Sequence, residues 1–405
     1  MKVLHLSTWQ EVCGIAEYTK NLVKALDQIG IENEIYPIPR RDMKYMSLEE
    51  ISSYFRAFCQ KAKDFDAVHI QHEHAFFNGS YSFRKSIKVF NEVLRNLRRS
   101  KVKRIIVTFH TEPIFDTKPI LETDGEGASP ISLLRRTVDR GKSRFFSWRW
   151  EKKVAPFFQP KYHHRFHAIV HSKKTRLVMI QKGFSPDSIS VIEHGFPDKK
   201  EKPSPEEQLR AKKDLGIPEQ AKVLTIFGFL SSYKGYDVAI KALAKLPENY
   251  FLVIAGGTHP EAPNRDLALE EILACIESVG NDVKRRILVT GYLPFEKLRT
   301  VHSATDICLA PYHPTRLSAS GALSWALSSG KPTIASSIPA FRELNEDANC
   351  LVLFQPMAHL ELAMKITAVI EDKPLQAELE QRATDYIERH SWLETARRIS
   401  DHYKP

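Results

Sequence analysis

Several stretches of this sequence carry side chains suited to holding and transferring an anionic group. In residues 311–332 (PYHPTRLSASGALSWALSSGKP) a small-residue loop follows a strand-like run, residues 306–310. It leads into a helix-like segment with Ala322, Leu323, Trp325, Ala326 and Leu327 as its apolar positions. The first-turn N–H groups of a helix have no intrahelical partners. Ser320, Gly321 and Ala322 are small enough for a diphosphate to approach those groups closely. Upstream, Gly228 ends a strand-like run and Lys234-Gly235 opens the next helix, placing an ammonium where it would neutralise the same anion. His110 follows residues 105–109, Gln71, His72, Glu73 and His74 follow residues 68–70, and His171 and Ser172 follow residues 168–170. Gly257 and His259 lie just past another strand-like run, and Gly14 lies in the first strand-to-helix turn. The same small residues also serve tight helix packing, and in a chain with 16 histidines a strand-end His is often structural. His72 and His74 lack the carboxylate or thiolate companions of a zinc site, so no metal is expected.

These residues must be positioned by the elements around them. Short β-like runs at residues 3–6, 68–71, 105–109, 168–170 and 191–193 alternate with amphipathic helices, and a second series follows at 223–227, 251–255, 287–290, 307–310 and 333–335. Such alternation predicts parallel sheets with helices on both faces. Residues 15–29, with Ile15, Leu22, Leu26 and Ile29 on one side and Gly30 as a stop, predict a crossover helix. A polar, proline-rich stretch at residues 197–205 separates the two series and predicts a linker between two doubly wound domains. Ligands of such folds bind outside the carboxyl ends of the strands, so two such sheets facing each other would form a cleft lined by the residues above.

The 405 residues, 42% of them hydrophobic, are enough for two domains with separate cores. Five scattered cysteines without a CxxC pair suggest neither a disulfide framework nor a zinc site, which fits a reducing cytoplasm. The chain begins with a strand-like run rather than a signal peptide, and no apolar run approaches the roughly 20 residues of a membrane span. The net charge of +10 divides unevenly, +11 over residues 1–198 and −1 over the remainder. One cluster runs from Arg84 to Arg104. A second, from Arg135 to Lys153, is interleaved with Phe145, Phe146, Trp148 and Trp150 and followed by Phe157 and Phe158. Cations mixed with large aromatics suit an anionic membrane surface or an acceptor, against the plain reading of a solvated helix face. No nucleic-acid-binding motif accompanies the charge, and no nucleic acid is expected.

Together these segments resemble the retaining glycosyltransferases of family 4. CGIAEYTKNLVKAL resembles that family's first loop and helix, VTFHTEP its strand and active-site histidine, and SVIEHGFPD the turn before its interdomain linker. IFGFLSSYKGYDVAIKAL resembles the opening of the donor domain, VTGYLPFEKLRTVHSATDICLAPY its base-pocket segment, and HSWLETARRISDHY a helix that crosses back to the first domain. The resemblance spans essentially the whole chain. It implies an α/β fold of GT-B architecture, two facing Rossmann-like domains with parallel sheets and an interdomain cleft. The domains would be residues 1–198 on the acceptor side, 199–386 for the nucleotide-sugar donor, and 387–405 as the returning helix. It implies that His110 lies beside the donor sugar, Gly14 near the diphosphate, and Lys234 on the leaving diphosphate cradled by Ser320, Gly321 and Ala322. Tyr292 and Leu293 would meet the base, and Glu73, His74, Gly257 and His259 the sugar or acceptor.

The sequence departs from the family where two glutamates usually stand eight positions apart, here Leu317 and Trp325, and where an arginine usually follows Gly228, here Phe229. Arg316 is expected to replace the arginine at the diphosphate, and Ser318 or Ser320 the lost polar contacts. An aromatic in the second glutamate position and the GTHPE string at residues 257–261 resemble one branch of the family. The expected activity is transfer of a hexose from a nucleotide diphosphate sugar to an acceptor hydroxyl, with retention and without metal or resident cofactor. The acceptor would be a glycan, lipid-linked or anionic, and the protein cytoplasmic, peripheral on the inner face of the membrane. The alternatives are a non-catalytic carbohydrate- or nucleotide-binding protein and a nucleotide-sugar epimerase.

Overall fold

The computed structural model describes residues 1–112, 145–199, 202–258, 267–315, 317 and 319–404, apart from the side chains of Phe83, Phe295 and Glu296. Two units emerge, Met1–Gly195 with residues 316–319 and Trp392–Pro405, and Phe196–Thr315 with Ser320–Ser391.

In the first unit the apolar runs fall on β1 (Lys2–Ser7), β3 (Ala67–His72), β4 (Arg104–Phe109) and β5 (Phe166–Val170). With β2 (Glu32–Pro37) and β6 (Ile189–Val191) they form a parallel sheet in the order β2-β1-β3-β4-β5-β6. The edge strand β2, ENEIYP, is too polar to be predicted from hydrophobicity and is held by its pairing with β1. β6 begins two residues before the predicted run at 191–193, because β5 pairs with Ile189, Ser190 and Val191. The crossover helix Gly14–Gln28 buries Tyr18, Leu22 and Leu26, and ends where Gly30 takes a left-handed φ of 78°. The C-terminal helix Trp392–Asp401 returns to this unit, packing Ala396, Ile399 and Tyr403 on the same core as Tyr18, Leu22 and Leu26.

On the other face of this sheet, Trp150 stacks on Phe184 with ring centroids 5.2 Å apart, and Phe158 stacks on Phe184 at 4.5 Å. Trp150, Phe157 and Phe158 are therefore core residues, each stabilising the unit by about 1.5–3 kcal/mol. Of the aromatics interleaved with the second basic cluster only Phe145 and Trp148 are exposed, at 43% and 52%. Part of the basic excess is structural too. Arg104 donates to the carbonyls of His402, His163 and His164, and Arg165 to those of Leu97, Arg98, Ser100 and Val102. Arg135, Arg136, Arg140, Lys142 and Arg144 lie outside the described residues.

The second unit repeats the plan with β7 (Lys222–Phe227), β8 (Tyr250–Ala255), β9 (Ile287–Val289), β10 (Ile307–Ala310), β11 (Thr333–Ser336) and β12 (Leu351–Phe354). The order is β12-β11-β10-β7-β8-β9, all parallel. Strand order reverses between β7 and β10 here, and between β1 and β3 in the first unit. Loops leaving such a reversal diverge to opposite faces of the sheet and open a crevice at its carboxyl edge. Gly228, Lys234 and Ser320 follow β7 and β10, and Gly14 and Glu73 follow β1 and β3.

Candidate functional site

At the reversal of the second sheet, backbone approaches backbone so closely that side chains are excluded. Gly228 leaves β7 with φ 99°, and a Cβ there would lie 2.5 Å from Lys234 Nζ and 3.1 Å from the Ala322 Cβ. A Cβ on Gly235, φ 68°, would collide with the Pro311 carbonyl oxygen, and one on Gly256 with that of Gly228. These glycines draw the ends of β7, β8 and β10 together and fold Lys234 back over Gly228.

Lys234 ends the short 3-10 turn Ser232–Lys234, and Gly235 then caps the helix Tyr236–Leu243. The Lys234 ammonium donates to the Phe227 carbonyl at 2.8 Å and lies 6.0 Å from the centroid of the Tyr312 ring. The side chain is 4% exposed, and among the described residues no carboxylate pairs with it. Burial without a counter-ion lowers its pKa to about 7.

Beside it the helix Gly321–Ser328 starts at Ser320, whose Oγ accepts from the Leu323 amide at 3.2 Å and lies 3.0 Å from the Tyr312 hydroxyl. Among the described residues no hydrogen bond uses the amides of Gly321 or Ala322. The structure thus brings Lys234, Gly228 and Ala322 together, with Ser320 and Tyr312 alongside. Tyr312 escapes sequence reasoning because it reads as the apolar end of β10. Arg316, Ser318 and His259 lie outside the described residues.

Farther along the same sheet edge, Gly257 packs on Tyr292, where a Cβ would come within 2.5 Å of the Tyr292 amide nitrogen. The Tyr292 ring is 63% exposed and lies nearly parallel to that of Phe229, at 17° and 6.3 Å between centroids. Leu293 packs inward with Phe227 and Val301. Trp325, in one of the usual glutamate positions, lies 6.1 Å from His302, which stacks on Phe227 at 4.4 Å.

In the first unit, His110 follows β4 with its amide on the His72 carbonyl and its Nε2 donating to Gln71 Oε1 at 2.8 Å. Burial among rings, with His171 and His194 next in effect, holds it well below the usual imidazole value, so it is neutral at pH 7. Tyr18 is the ring at the middle of this group. It meets His110 edge-on at 4.9 Å, Trp392 at 5.0 Å, and His171 and His194 at 5.3 Å. Its position four residues after Gly14 on the helix is the one sequence signal for it.

Gly14 opens that helix with nothing within 4 Å of the place a Cβ would take, leaving space above the first turn. The Glu73 carboxylate accepts from the next amide, that of His74. His74 is buried, with Nε2 3.3 Å from the Glu112 carbonyl oxygen, while His72 packs among Phe77, Phe90 and Phe109. These two imidazoles belong to the interior rather than to an open strand end. Among the described residues no three His, Cys, Asp or Glu side chains gather as a metal site, and no helix is long and apolar enough to cross a membrane.

Residues 207–386 match the family model described as glycosyl transferases group 1. This second unit belongs to the group 1 glycosyl transferases. Among curated relatives, a D-inositol 3-phosphate glycosyltransferase of Corynebacterium aurimucosum is 25% identical over 239 residues, 57% of this chain and 55% of that protein. That of Xylanimonas cellulosilytica is 29% identical over 189 residues, 47% and 43%. The chain spans about half the length of the curated relatives it matches. Among solved structures, Anabaena HepE in complex with UDP-glucose superposes with a TM-score of 0.68 at 18% identity, over 99% of this chain and 98% of that one. Sucrose-phosphate synthase from Thermosynechococcus elongatus gives 0.70 at 14% identity, over 100% and 98%. The two parallel sheets are thus those of the GT-B fold. The glycine-bounded lysine and the helix start at the sheet reversal lie within this matched segment.

Proposed function

We propose that this protein transfers a hexose from a nucleotide diphosphate sugar to an acceptor hydroxyl, with retention at the anomeric carbon. The observation that carries this reading is Lys234, a buried ammonium without a carboxylate partner among the described residues, beside an N-terminal helix turn whose first amides are unspent. Such an arrangement is costly unless an anion completes it. A diphosphate does so, and its charge grows as the bond to the sugar breaks, so the same groups stabilise the transition state. One donor of this kind is worth about 3 kcal/mol.

Each unit contributes in its own way. In the second, Lys234, Ser320, Gly321 and Ala322 hold the diphosphate, and Tyr292 and Leu293 carry the base; Arg316, grouped with the first unit, is a further diphosphate contact. UDP and UDP-glucose, named with the Anabaena protein, make a uridine donor the first to try. In the first unit, His110 orients the sugar, Gly14 admits the diphosphate, and Glu73 contacts the acceptor. The acceptor oxygen attacks the anomeric carbon on the face from which the diphosphate departs, and its proton passes to the leaving diphosphate oxygen. No protein nucleophile or metal is required. The acceptor is a glycan, lipid-linked or anionic. Exposed Phe145 and Trp148 beside Lys152 and Lys153 support peripheral contact with an anionic cytoplasmic membrane surface. Equal binding to neutral and anionic vesicles contradicts that contact.

Incubation with nucleotide sugars and no acceptor tests the activity. Slow release of free hexose with the donor's anomeric configuration, followed by proton NMR, is expected; release of the opposite anomer refutes retention. A second reading, a binding protein without transfer, is favoured by Leu317, Trp325 and Phe229 at positions usually Glu, Glu and Arg. Donor binding without any hydrolysis or transfer selects it.

A further inference from the structure

We infer that the C-terminal helix Trp392–Asp401 and the Tyr403 that follows it set the tautomer and orientation of His110, with Tyr403, His69 and Gln71 acting as positioning residues. The inference rests on the role proposed above for His110.

A continuous chain of hydrogen bonds links the two. His110 Nε2 donates to Gln71 Oε1 at 2.8 Å, and the Gln71 amide nitrogen lies 3.3 Å from His69 Nε2. His69 Nδ1 lies 2.7 Å from the Tyr403 hydroxyl, and its Nε2 also lies 2.8 Å from Thr108 Oγ1. Gln71 has its oxygen toward His110 and its NH2 toward His69, so the direction is fixed. Gln71 donates to His69 Nε2, which is unprotonated and accepts from Thr108 as well. His69 therefore carries its proton on Nδ1 and donates it to the Tyr403 oxygen. At the other end, His110 carries its proton on Nε2, leaving Nδ1 as its acceptor nitrogen. His69, Gln71, Thr108 and Tyr403 are essentially inaccessible, so no water substitutes for a lost partner.

The same helix reaches His110 by packing. Trp392, its first residue, meets Tyr18 at 5.0 Å, and Tyr18 meets the His110 ring edge-on at 4.9 Å. Gly195 lies flat on the Trp392 indole, where a Cβ would come within 2.5 Å of the ring. Trp392 is thereby fixed from behind. One end of the helix fixes the ring plane of His110 and the other fixes which nitrogen holds the proton. A histidine that contacts a sugar hydroxyl depends on both.

Tyr403→Phe keeps the packing and removes the acceptor at the end of the chain. His69 can then place its proton on Nε2, Gln71 reverses its amide, and His110 becomes protonated on Nδ1. Long-range 15N NMR of the imidazoles reports this directly, the His110 signal being the one lost in His110→Asn. The expected result is the Nε2–H form in the parent and a shift toward the Nδ1–H form in Tyr403→Phe. With it, kcat falls about tenfold while the donor KM stays within about twofold. Gln71→Met breaks the chain in the middle and should reproduce the tautomer change, which keeps the test decisive if Tyr403→Phe does not fold. An unchanged His110 tautomer in both variants, or a changed tautomer with unchanged kcat, overturns the inference. Absence of transfer by the parent refutes the proposed function instead, while the NMR comparison still decides the relay.

Discussion

Lys234 gives the site a pH dependence whose sign follows from its surroundings. Burial takes it from 10.5 to about 7, equivalent to about 5 kcal/mol in favour of the neutral amine. Between those values the unfolded chain holds a proton that the native lysine has released, so this residue makes stability rise with pH across the window and is most costly below pH 7. An anionic ligand reverses the preference, because it binds the ammonium. Nucleotide-sugar affinity should therefore be flat below pH 7 and fall about tenfold by pH 8. At pH 8 the binding should draw about one proton from solution, measured by titration calorimetry in two buffers of different ionisation enthalpy. Lys234→Met removes the buried charge and should leave the unliganded protein at least as stable as the parent at pH 6, while abolishing nucleotide binding. Equal affinity at pH 6 and pH 8 with no proton uptake would refute the reasoning, since a lysine already charged without ligand has nothing to gain.

Further outcomes follow from the same geometry. Gly228→Ala should cost about 1–3 kcal/mol in chemical denaturation and weaken nucleotide binding, because φ is 99° and the new methyl meets Lys234 Nζ. Tyr292→Ala should weaken nucleotide binding by about 1–3 kcal/mol in calorimetry with the unliganded Tm unchanged, if its exposed ring carries the base. Acid should destabilise the first unit. Burial lowers His5 and His194 to about 4 and His167 to about 3, so below pH 6.5 the unfolded chain takes up protons that these residues refuse. Stability should drop steadily from pH 6.5 toward pH 4, and His167→Asn should shallow that drop in a Tm series.

Much of this architecture was legible because buried parallel strands are written as continuous apolar runs. Residues 105–109 and 223–227 became β4 and β7 almost residue for residue. Two of the edge strands, β2 and β12, were not legible. β2 mixes Glu32, Asn33 and Glu34 with one isoleucine, and β12 is a short half-buried run, so both owe their form to a neighbour rather than to local pattern. The small residues at 320–322 and the Lys234-Gly235 pair could be read as an anion site from spacing alone. Their closeness to Gly228 could not, since it depends on two left-handed glycines and on sheet order. The basic and aromatic cluster misled in part, because type and spacing do not distinguish an exposed Trp148 from a Trp150 stacked on Phe184. The relay from Tyr403 to His110 joins residues about 300 positions apart and is invisible in any local window.

The central claim is that a nucleotide diphosphate binds at the β7–β10 reversal through Lys234. Thermal denaturation with UDP-, GDP- and ADP-sugars, for the parent and Lys234→Met, tests it most directly. A ligand at 100 times its Kd should stabilise the parent by about 2.7 kcal/mol. The account predicts a clear rise in Tm with one nucleotide class in the parent and none in the variant. An equal rise in both proteins, or no rise with any nucleotide sugar, contradicts it.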